Sequence, residues 1–208
     1  MAKKKARNTR GKIISAAWSL FYEQGYEGTT VEEIIELSHT SKGSFYHYFD
    51  GKDALLSTLS DLFDEKYQSL QETMDPCMPA MKKLLFLNAE LFGMIENSVS
   101  TELLARLLST QLVTNGERHL LDHKRTYYRL LRRIISEGQA AGELNTLRNV
   151  NEMVKLYALC ERALMYDWCL CGGEYALRDY AVRVFPSFLS SFLPGGPEKP
   201  APEQNAAL

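Results

Sequence analysis

The sequence has little cysteine, no long apolar run and hardly any alternation of apolar and polar residues. Four cysteines among 208 residues, at irregular spacing, match neither a secreted disulfide framework nor a paired CxxC zinc site. No stretch approaches the ~18 uninterrupted apolar residues of a membrane span. The polar "RNTRGK" near the start is not the apolar core of a signal peptide. These absences favour a cytoplasmic protein. We interpret the four cysteines as reduced residues that lie in helices: Cys77, Cys160, Cys169 and Cys171.

The usual marks of an enzyme are also absent. No nucleophile with a base, no paired carboxylates and no phosphate-cradling glycine loop is visible, so we expect no catalytic residue and no cofactor. His119 and His123 have a spacing that could place two imidazoles on one metal, but no third ligand is identifiable and a solvated helix face is favoured. The cysteines at 160, 169 and 171 are likewise read as packing residues rather than a redox or metal sensor.

Charge is unevenly placed along the chain. The formal net charge is -2, yet six basic residues precede the first acid, Glu23. They are Lys3, Lys4, Lys5, Arg7, Arg10 and Lys12. We interpret residues 1–8 as a basic arm that follows DNA phosphates, with a merely solvated tail as the alternative.

Apolar residues recur at helical spacing, which predicts an all-α protein of about nine helices. The first covers residues 9–24 and ends at Gly25 in a left-handed cap. Thr30 and Glu33 have the spacing of a capping box at the start of a short second helix. Asp50 is placed to cap a long helix with an apolar stripe, comprising Leu55, Leu56, Leu59, Leu62, Phe63 and Leu70.

Beyond Met74 the segment "DPCMP" breaks the chain and predicts a boundary between a small N-terminal unit and a larger C-terminal one. Further helices are predicted within 84–95, 103–112, 118–141, 150–171 and 174–193. Gly142 ends the third of these, and Pro186 predicts a kink or a restart in the last. Residues 194–208 are rich in proline and glycine and are expected to be disordered.

A short capped helix, a turn of about three residues and a second short helix, braced by a longer first helix, form the outline of a helix-turn-helix. The recognition helix of that motif would be "SKGSFYHYF", residues 41–49. Phe45 and Phe49 are four residues apart, so they share one face, which we assign to the core with Ile34 and Phe21. The opposite face then meets DNA.

Two stretches, "RGKIISAAWSLFYEQGYEGTTVEEII" and "SKGSFYHYFDGKDAL", closely resemble the DNA-binding domain of the TetR family of bacterial transcriptional regulators, over about residues 8–60. "ISEGQAAGEL" and "YDWCLCGGEYAL" also look like stretches of the ligand domains of some members. The resemblance implies a three-helix DNA-binding head and a larger helical domain. That domain would bind a small-molecule effector and form a homodimer through the last two helices.

The resemblance also implies DNA-contacting residues. Thr30 would contact phosphate, and Lys42, Gly43 and Ser44 would face bases. The DNA backbone would be held by Tyr46, His47, Tyr48 and Lys52, and Ser41 also belongs to the DNA-binding set. The sequence departs from the family in the turn "SHT", where His39 stands in place of a common left-handed glycine. That departure bears on the angle at which the recognition helix meets the groove.

The implied organisation is a basic arm at 1–8 and a head at 9–56, whose fourth helix continues to about 74 as a connector. An effector and dimerisation domain at 57–193 and the tail at 194–208 complete it. Aromatic and apolar residues offer candidate pocket walls, although core packing is their default role: Phe86, Phe92, Tyr127, Tyr128, Tyr157, Met165 and Trp168. The last two helices carry more apolar residues than one amphipathic face requires: Met153, Leu156, Leu164, Leu177, Tyr180, Val184, Phe188 and Phe192.

The sequence therefore predicts a regulator that binds a pseudo-palindromic operator as a homodimer, most simply a repressor released by a small-molecule effector. The alternative is an effector-independent DNA-binding dimer with a structural or partner-recruiting role. No membrane partner and no metal are expected.

Overall fold

The computed structural model describes residues 2–113 and 118–195, and of residues 2–8 only the backbone. Within these ranges it contains ten α-helices, two short 3-10 turns and no strand, so the all-α prediction is confirmed. Only Ser57 separates the fourth helix from the fifth. The helices are α1 Ala2–Gly28, α2 Val31–Leu37, α3 Lys42–Tyr48, α4 Lys52–Leu56, α5 Thr58–Thr73, α6 Ala80–Ser98, α7 Thr101–Val113, α8 Thr126–Ala140, α9 Val150–Leu170 and α10 Leu177–Leu189.

Helices α1, α2 and α3 pack around a small aromatic core. Phe21, Ile34, Phe45 and Phe49 are all at most 5% exposed, which confirms the inward face assigned to the recognition helix. The capping box is present, because the Thr30 hydroxyl accepts the Glu33 amide and the Glu33 carboxylate accepts the Thr30 amide. Buried side chains from all three helices hold the two short helices against the long one, and the capping box stabilises the start of α2.

Helix α1 changes direction at Gly25. The residue has φ 78° and ψ 166°, so its φ is positive as predicted, but its ψ lies far from the left-handed helical value. Only glycine adopts this region without strain. One further turn follows before Thr29, whose hydroxyl donates to the Gly25 carbonyl at 2.8 Å. The backbone of α1 already begins at Ala2, while the predicted basic side chains of the arm and the predicted tail beyond residue 195 lie outside the described residues.

The long helix expected after Asp50 is divided in two. Gly51, not Asp50, is the cap residue of α4, and the helix is interrupted at Ser57. The hydroxyls of Ser57, Thr58 and Ser60 donate to the backbone carbonyls three residues earlier, at 2.6 to 2.7 Å. Such bonds compete with the regular helix ladder, and this run of hydroxyl residues accounts for the break. In the predicted apolar stripe Leu62 is 38% exposed, whereas the other five residues are buried.

The larger unit, here called the body, comprises α5 to α10. Helix α10 packs along α6, and α8 contacts α5, α6 and α9. The predicted α8 is shorter than expected because Asp122 forms a turn, its carboxylate accepting the Lys124 amide at 2.8 Å. His119 lies in a 3-10 turn and His123 in the following loop, so the two do not share the helical face that a metal pair requires. Helix α10 begins at Leu177 and continues through Pro186 to Leu189.

The cysteines are all free, but they are not all helical. Cys77 lies in the turn between α5 and α6, and Cys171 follows the end of α9, so for these two the prediction was wrong. Cys160 and Cys169 lie in α9 and are partly buried. Burial raises the pKa of Cys169 to about 11, which keeps this thiol protonated and unreactive at neutral pH.

Candidate DNA-binding surface and buried glutamate cavity

Helix α3 begins with a network of small polar side chains. The Ser41 hydroxyl accepts the Ser44 amide at 3.1 Å and lies 2.9 Å from the Ser44 hydroxyl. Gly43 leaves the backbone of the first turn uncovered, since only the Ser41 hydroxyl lies within 4 Å of where its Cβ would be. A helix N-terminus with exposed amides is suited to approach a phosphate or a base edge. Five of the predicted contact residues around it are exposed: Ser41, Lys42, Gly43, Tyr46 and His47.

The turn before α3 has the unusual backbone that the sequence indicated. His39 has φ 51°, in the left-handed region. The turn is held by side chains as well as backbone, because the hydroxyls of Ser38 and Thr40 are 2.8 Å apart and the Thr40 amide donates to the Ile35 carbonyl. These bonds stabilise the turn without glycine and so set the angle between α2 and α3.

Thr30 and Lys42 lie next to acidic groups of α2. The Thr30 hydroxyl also donates to the Glu33 carboxylate, and the hydrogen bonds from Thr30 lower the pKa of Glu33. Lys42 forms an ion pair with Glu32 at 3.5 Å. Both side chains of this pair are about 70% exposed, so water screens it and the lysine is free to turn toward DNA.

The side chains of two predicted DNA-contacting residues, Lys52 and Tyr48, interact with other residues of the head. Lys52 donates to the carbonyls of Tyr26 and Thr29, at 2.6 and 2.8 Å, and its ammonium lies 4.2 Å from the Tyr26 ring. Tyr48 is half-buried against the core. Lys52 and Tyr48 are therefore less available to DNA than the exposed residues around the start of α3. Lys52 instead stabilises the end of α1.

A small cavity of about 30 Å3 lies inside the body, with room for one or two water molecules. Its walls come from α5, α6, α8 and α9, and from the 3-10 turn before α8. They comprise Phe63, Tyr67, Leu91, Leu120, Arg125, Tyr127, Ala158, Glu161, Arg162 and Met165. Four helices of the body therefore meet at this cavity.

Glu161 is the central polar residue of this cavity and is only 2% exposed. The Tyr127 hydroxyl donates to its Oε2 at 2.6 Å, and the Tyr67 hydroxyl does so at 3.4 Å. The Asn88 amide donates to Oε1 at 3.1 Å. Four helices are thus joined through one carboxyl group.

Burial raises the pKa of Glu161, and the hydrogen bonds from Tyr127 and its neighbours oppose that rise. Burial also raises the pKa of Tyr67, Tyr127 and Tyr157, and the nearby Glu161 charge adds to it. These hydroxyls therefore remain protonated and act as donors.

The arginines that line the cavity are engaged elsewhere. Arg125 forms a two-pronged pair with Asp64 at 3.1 Å and donates to the Ser60 carbonyl. Arg162 reaches the Tyr128 hydroxyl at 3.5 Å. In the described part of the chain no basic side chain lies within ion-pair distance of Glu161, whose surroundings are hydrogen-bond donors and tyrosine rings.

The structure places only part of the predicted pocket at this cavity. Tyr127 and Met165 line it, and Tyr157 lies behind Tyr127 with ring centres 6.5 Å apart. Phe92, Tyr128 and Trp168 are buried in the core away from the cavity wall, and Phe86 is half-buried. Glu161, Asn88 and Tyr67 were not among the residues predicted from the sequence. One signal was available, because Glu161 falls in the apolar stripe of α9 between Tyr157 and Met165, four residues from each.

The buried carboxyl predicts a pH dependence of stability. A raised pKa means that the folded chain holds this proton more tightly than the unfolded chain, so the stabilisation is present below the ordinary value of 4.5 and lost as the pH rises through the folded pKa. Glutamine does not titrate. The stability of the natural chain relative to Glu161→Gln should therefore fall as the pH rises across this window. Urea unfolding of both proteins at several pH values measures the difference between their free energies of unfolding. A difference that does not change with pH would contradict the raised pKa of Glu161.

None of the described helices is both long enough and apolar enough to cross a bilayer. The exposed head with its helix-turn-helix and the separate helical body define the class: a DNA-binding protein of the helix-turn-helix type. Residues 13–59 match the family model described as bacterial regulatory proteins, tetR family. The match covers the head, so this part of the chain is similar to the DNA-binding domain of the TetR family of transcriptional regulators.

Individual relatives agree with this assignment. The chain is 28% identical to the HTH-type transcriptional regulator QacR of Staphylococcus aureus over 157 residues, 73% of this chain and 81% of QacR. It is 43% identical to an uncharacterized HTH-type regulator of Lactococcus lactis over 56 residues, which cover 26% of this chain and 29% of that protein. The fold is similar to that of FadR from Bacillus subtilis, solved in complex with stearoyl-CoA, with a TM-score of 0.69, 20% identity and coverage of 88% and 99%.

Proposed function

We propose that this chain is a homodimeric repressor that leaves its operator when a small molecule binds in the body. The observation that carries the proposal is the joining of two sites in one chain: an exposed recognition helix and a cavity at which four body helices meet around Glu161. A regulator of chromosomal DNA acts in the cytoplasm, so the location expected from the sequence belongs to the same proposal.

The head would bind DNA through the exposed side of α3. Lys42 and Tyr46 extend from it without a role in the core, and Ser41, Gly43 and Ser44 present the backbone of the first turn. Thr30 starts α2, where it can reach a phosphate without breaking the capping box. Contacts of this kind divide into backbone positioning and base recognition, and both are needed for a specific operator.

A second copy of the chain would cover the exposed apolar stripe of α9. Leu159, Tyr166 and Leu170 lie on one side of this helix and are 51 to 68% exposed, and Phe188 of α10 is 49% exposed. The sequence had proposed partly different residues for this face. Met153, Leu164, Leu177 and Phe192 are buried within the chain's own core, while Leu156, Tyr180 and Val184 are half-buried.

The head and the body are joined by contacts that could transmit ligand binding in the body to the DNA-binding head. Arg106 of α7 forms an ion pair with Glu27 at the end of α1, and its guanidinium lies 5.6 Å from the Tyr26 ring. The Trp18 indole donates to the Thr58 hydroxyl at 2.9 Å, beside the break between α4 and α5. Helix α5 also carries Tyr67 into the cavity. A ligand that displaces Tyr67 would therefore act on the helix whose first turn holds the head.

The energetic demand on this coupling is modest. About 1 to 3 kcal/mol of coupling changes operator affinity by one to two orders of magnitude. The FadR structure shows that a protein of similar fold binds a small molecule, here stearoyl-CoA. For this chain the same fold supports an effector in the body without identifying it.

Selection of bound sequences from random double-stranded DNA by the purified chain tests the DNA-binding part. We expect an inverted repeat whose half-sites are spaced by whole turns of the duplex, bound by a dimer. If no sequence is selected, the proposed DNA binding is wrong. Compounds that raise the melting temperature are then added to the complex with that operator. If compounds bind in the body and none alters operator affinity, the effector-independent dimer is the correct alternative.

A further inference from the structure

We infer that Arg10 and Asp61 position the recognition helix against the body and thereby determine which spacing between operator half-sites the dimer prefers. This inference rests on the proposed function, because it requires two heads that bind one operator. Neither residue belongs to the predicted DNA-contacting set. Their effect on specificity would come from the angle of the head and not from a contact with a base.

Arg10 lies where the head, the recognition helix and the body meet. Its guanidinium forms an ion pair with the Asp61 carboxylate of α5 at 3.6 Å. The same guanidinium lies 5.7 Å from the centre of the Phe49 ring. Phe49 is the C-cap residue of α3 and is only 5% exposed, so its position is tied to that of the recognition helix. One side chain of α1 therefore connects the end of α3 to the first turn of α5.

The middle and the end of α1 are also joined to the body, by contacts in which no residue of α3 takes part. In the middle, the Trp18 indole donates to the Thr58 hydroxyl at 2.9 Å, and Thr58 is only 4% exposed. Arg10 lies eight residues before Trp18, which is about 12 Å along the helix. A small rotation of the head about the Trp18 contact would therefore move Arg10, and the end of α3 beside it, relative to Asp61.

Helices α1 and α5 do not pack closely between the contacts made by Arg10 and Trp18. A groove of about 600 Å3 lies there, and its walls include Ile14 of α1 and Leu62 of α5. Leu62 is 38% exposed in this groove. Close packing would fix the angle between the two helices, because densely packed interiors resist small displacements. The groove leaves the angle of the head to the contacts on either side of it.

The ion pair can bias the angle of the head without locking it. The side chains of Arg10 and Asp61 are 46% and 60% exposed, so water and salt screen their attraction. An exposed pair of this kind changes an equilibrium by at most about fivefold. A dimer contains two such pairs, one for each head, and their effects on the distance between the heads combine.

Operators that differ only in spacing test the inference. The operator selected by the chain is compared, by fluorescence anisotropy, with duplexes that keep both half-sites and have one base pair more or fewer between them. Asp61→Arg and Arg10→Glu each place like charges opposite one another. We expect each variant to reduce the preference for the selected spacing by about threefold to tenfold. The double variant exchanges the two charges, so it should restore the preference.

The salt dependence of the preference is a second readout, which a general loss of stability would not produce. The duplexes have the same half-sites, so the release of counterions cancels when two affinities are divided. In the natural chain and the double variant the preference should fall as salt screens the attraction between residues 10 and 61. In the single variants it should rise, because salt screens the repulsion.

Glu72→Arg is the matched control, because it makes the same change of charge on an exposed position of α5, about 16 Å from Asp61 along the helix. It should leave the spacing preference unchanged. A control that lowers the preference as much as Asp61→Arg would overturn the inference, as would single variants without effect or a double variant that does not restore it. If no duplex is bound at all, the proposed function fails. Operator binding with a spacing preference independent of Arg10 and Asp61 refutes the positioning role alone.

Discussion

Replacing Lys42 and Tyr46 together by alanine should lower the operator affinity of the dimer by roughly a thousandfold while leaving the fold intact. Each lost contact is expected to cost about 1 kcal/mol or more, and two contacts are lost in each of two heads. Both side chains are exposed, Tyr46 by 46%, so the melting temperature should hardly change. Fluorescence anisotropy with the selected operator, together with thermal unfolding, measures both quantities.

Two single variants give this experiment its controls. Phe45→Ala removes a fully buried ring and should destabilise the protein by about 3 to 5 kcal/mol, so its DNA binding falls through unfolding. Glu32→Gln removes the carboxylate 3.5 Å from Lys42 and should raise affinity for DNA. A large loss of stability in the Lys42 and Tyr46 double variant would show that these residues belong to the core instead.

Replacing Leu159 and Leu170 by aspartate should convert the dimer to a monomer and reduce operator affinity by roughly a thousandfold or more. Buried charges without partners are strongly unfavourable in an apolar interface, and a single head makes half of the contacts. The two leucines are 54% and 68% exposed in the single chain, so the protomer itself should stay folded. Analytical ultracentrifugation measures the assembly, and circular dichroism measures the fold.

Leu112→Asp is the matched control for the dimer experiment. This leucine is 71% exposed and lies near the end of α7, outside the stripe of Leu159, Tyr166 and Leu170. It should leave both the dimer and operator binding unchanged. A double variant of α9 that remains dimeric would locate the interface elsewhere on the chain, and a chain that is monomeric before any substitution would refute the homodimer.

The elements set by neighbouring residues were predicted well. The capping box of Thr30 and Glu33, the left-handed residue His39 and the inward pair Phe45 and Phe49 depend on side chains within four residues of each other. Such relations are visible in a sequence because helical geometry fixes which neighbours meet. For the same reason the resemblance to the TetR family was visible in the sequence of the head.

The predicted helix boundaries were wrong where a side-chain hydrogen bond competes with the hydrogen bonds of the helix. The hydroxyls around Ser57 divide a helix that apolar spacing alone predicts to be continuous. Asp122 takes the Lys124 amide, so α8 starts later than its periodicity indicates. Hydrophobic periodicity reports which face is buried, but it does not report which donor a carbonyl will accept.

The sequence by itself determined the helical fold, the order of the helices and the recognition helix, because each follows from contacts between residues close in the chain. Only the tertiary structure decided the candidate ligand site. Glu161 meets Tyr67 and Asn88 across 94 and 73 residues of sequence. Only packing brings α5, α6, α8 and α9 together, and that packing turns one glutamate in an apolar stripe into a buried carboxyl group that accepts hydrogen bonds from three other helices.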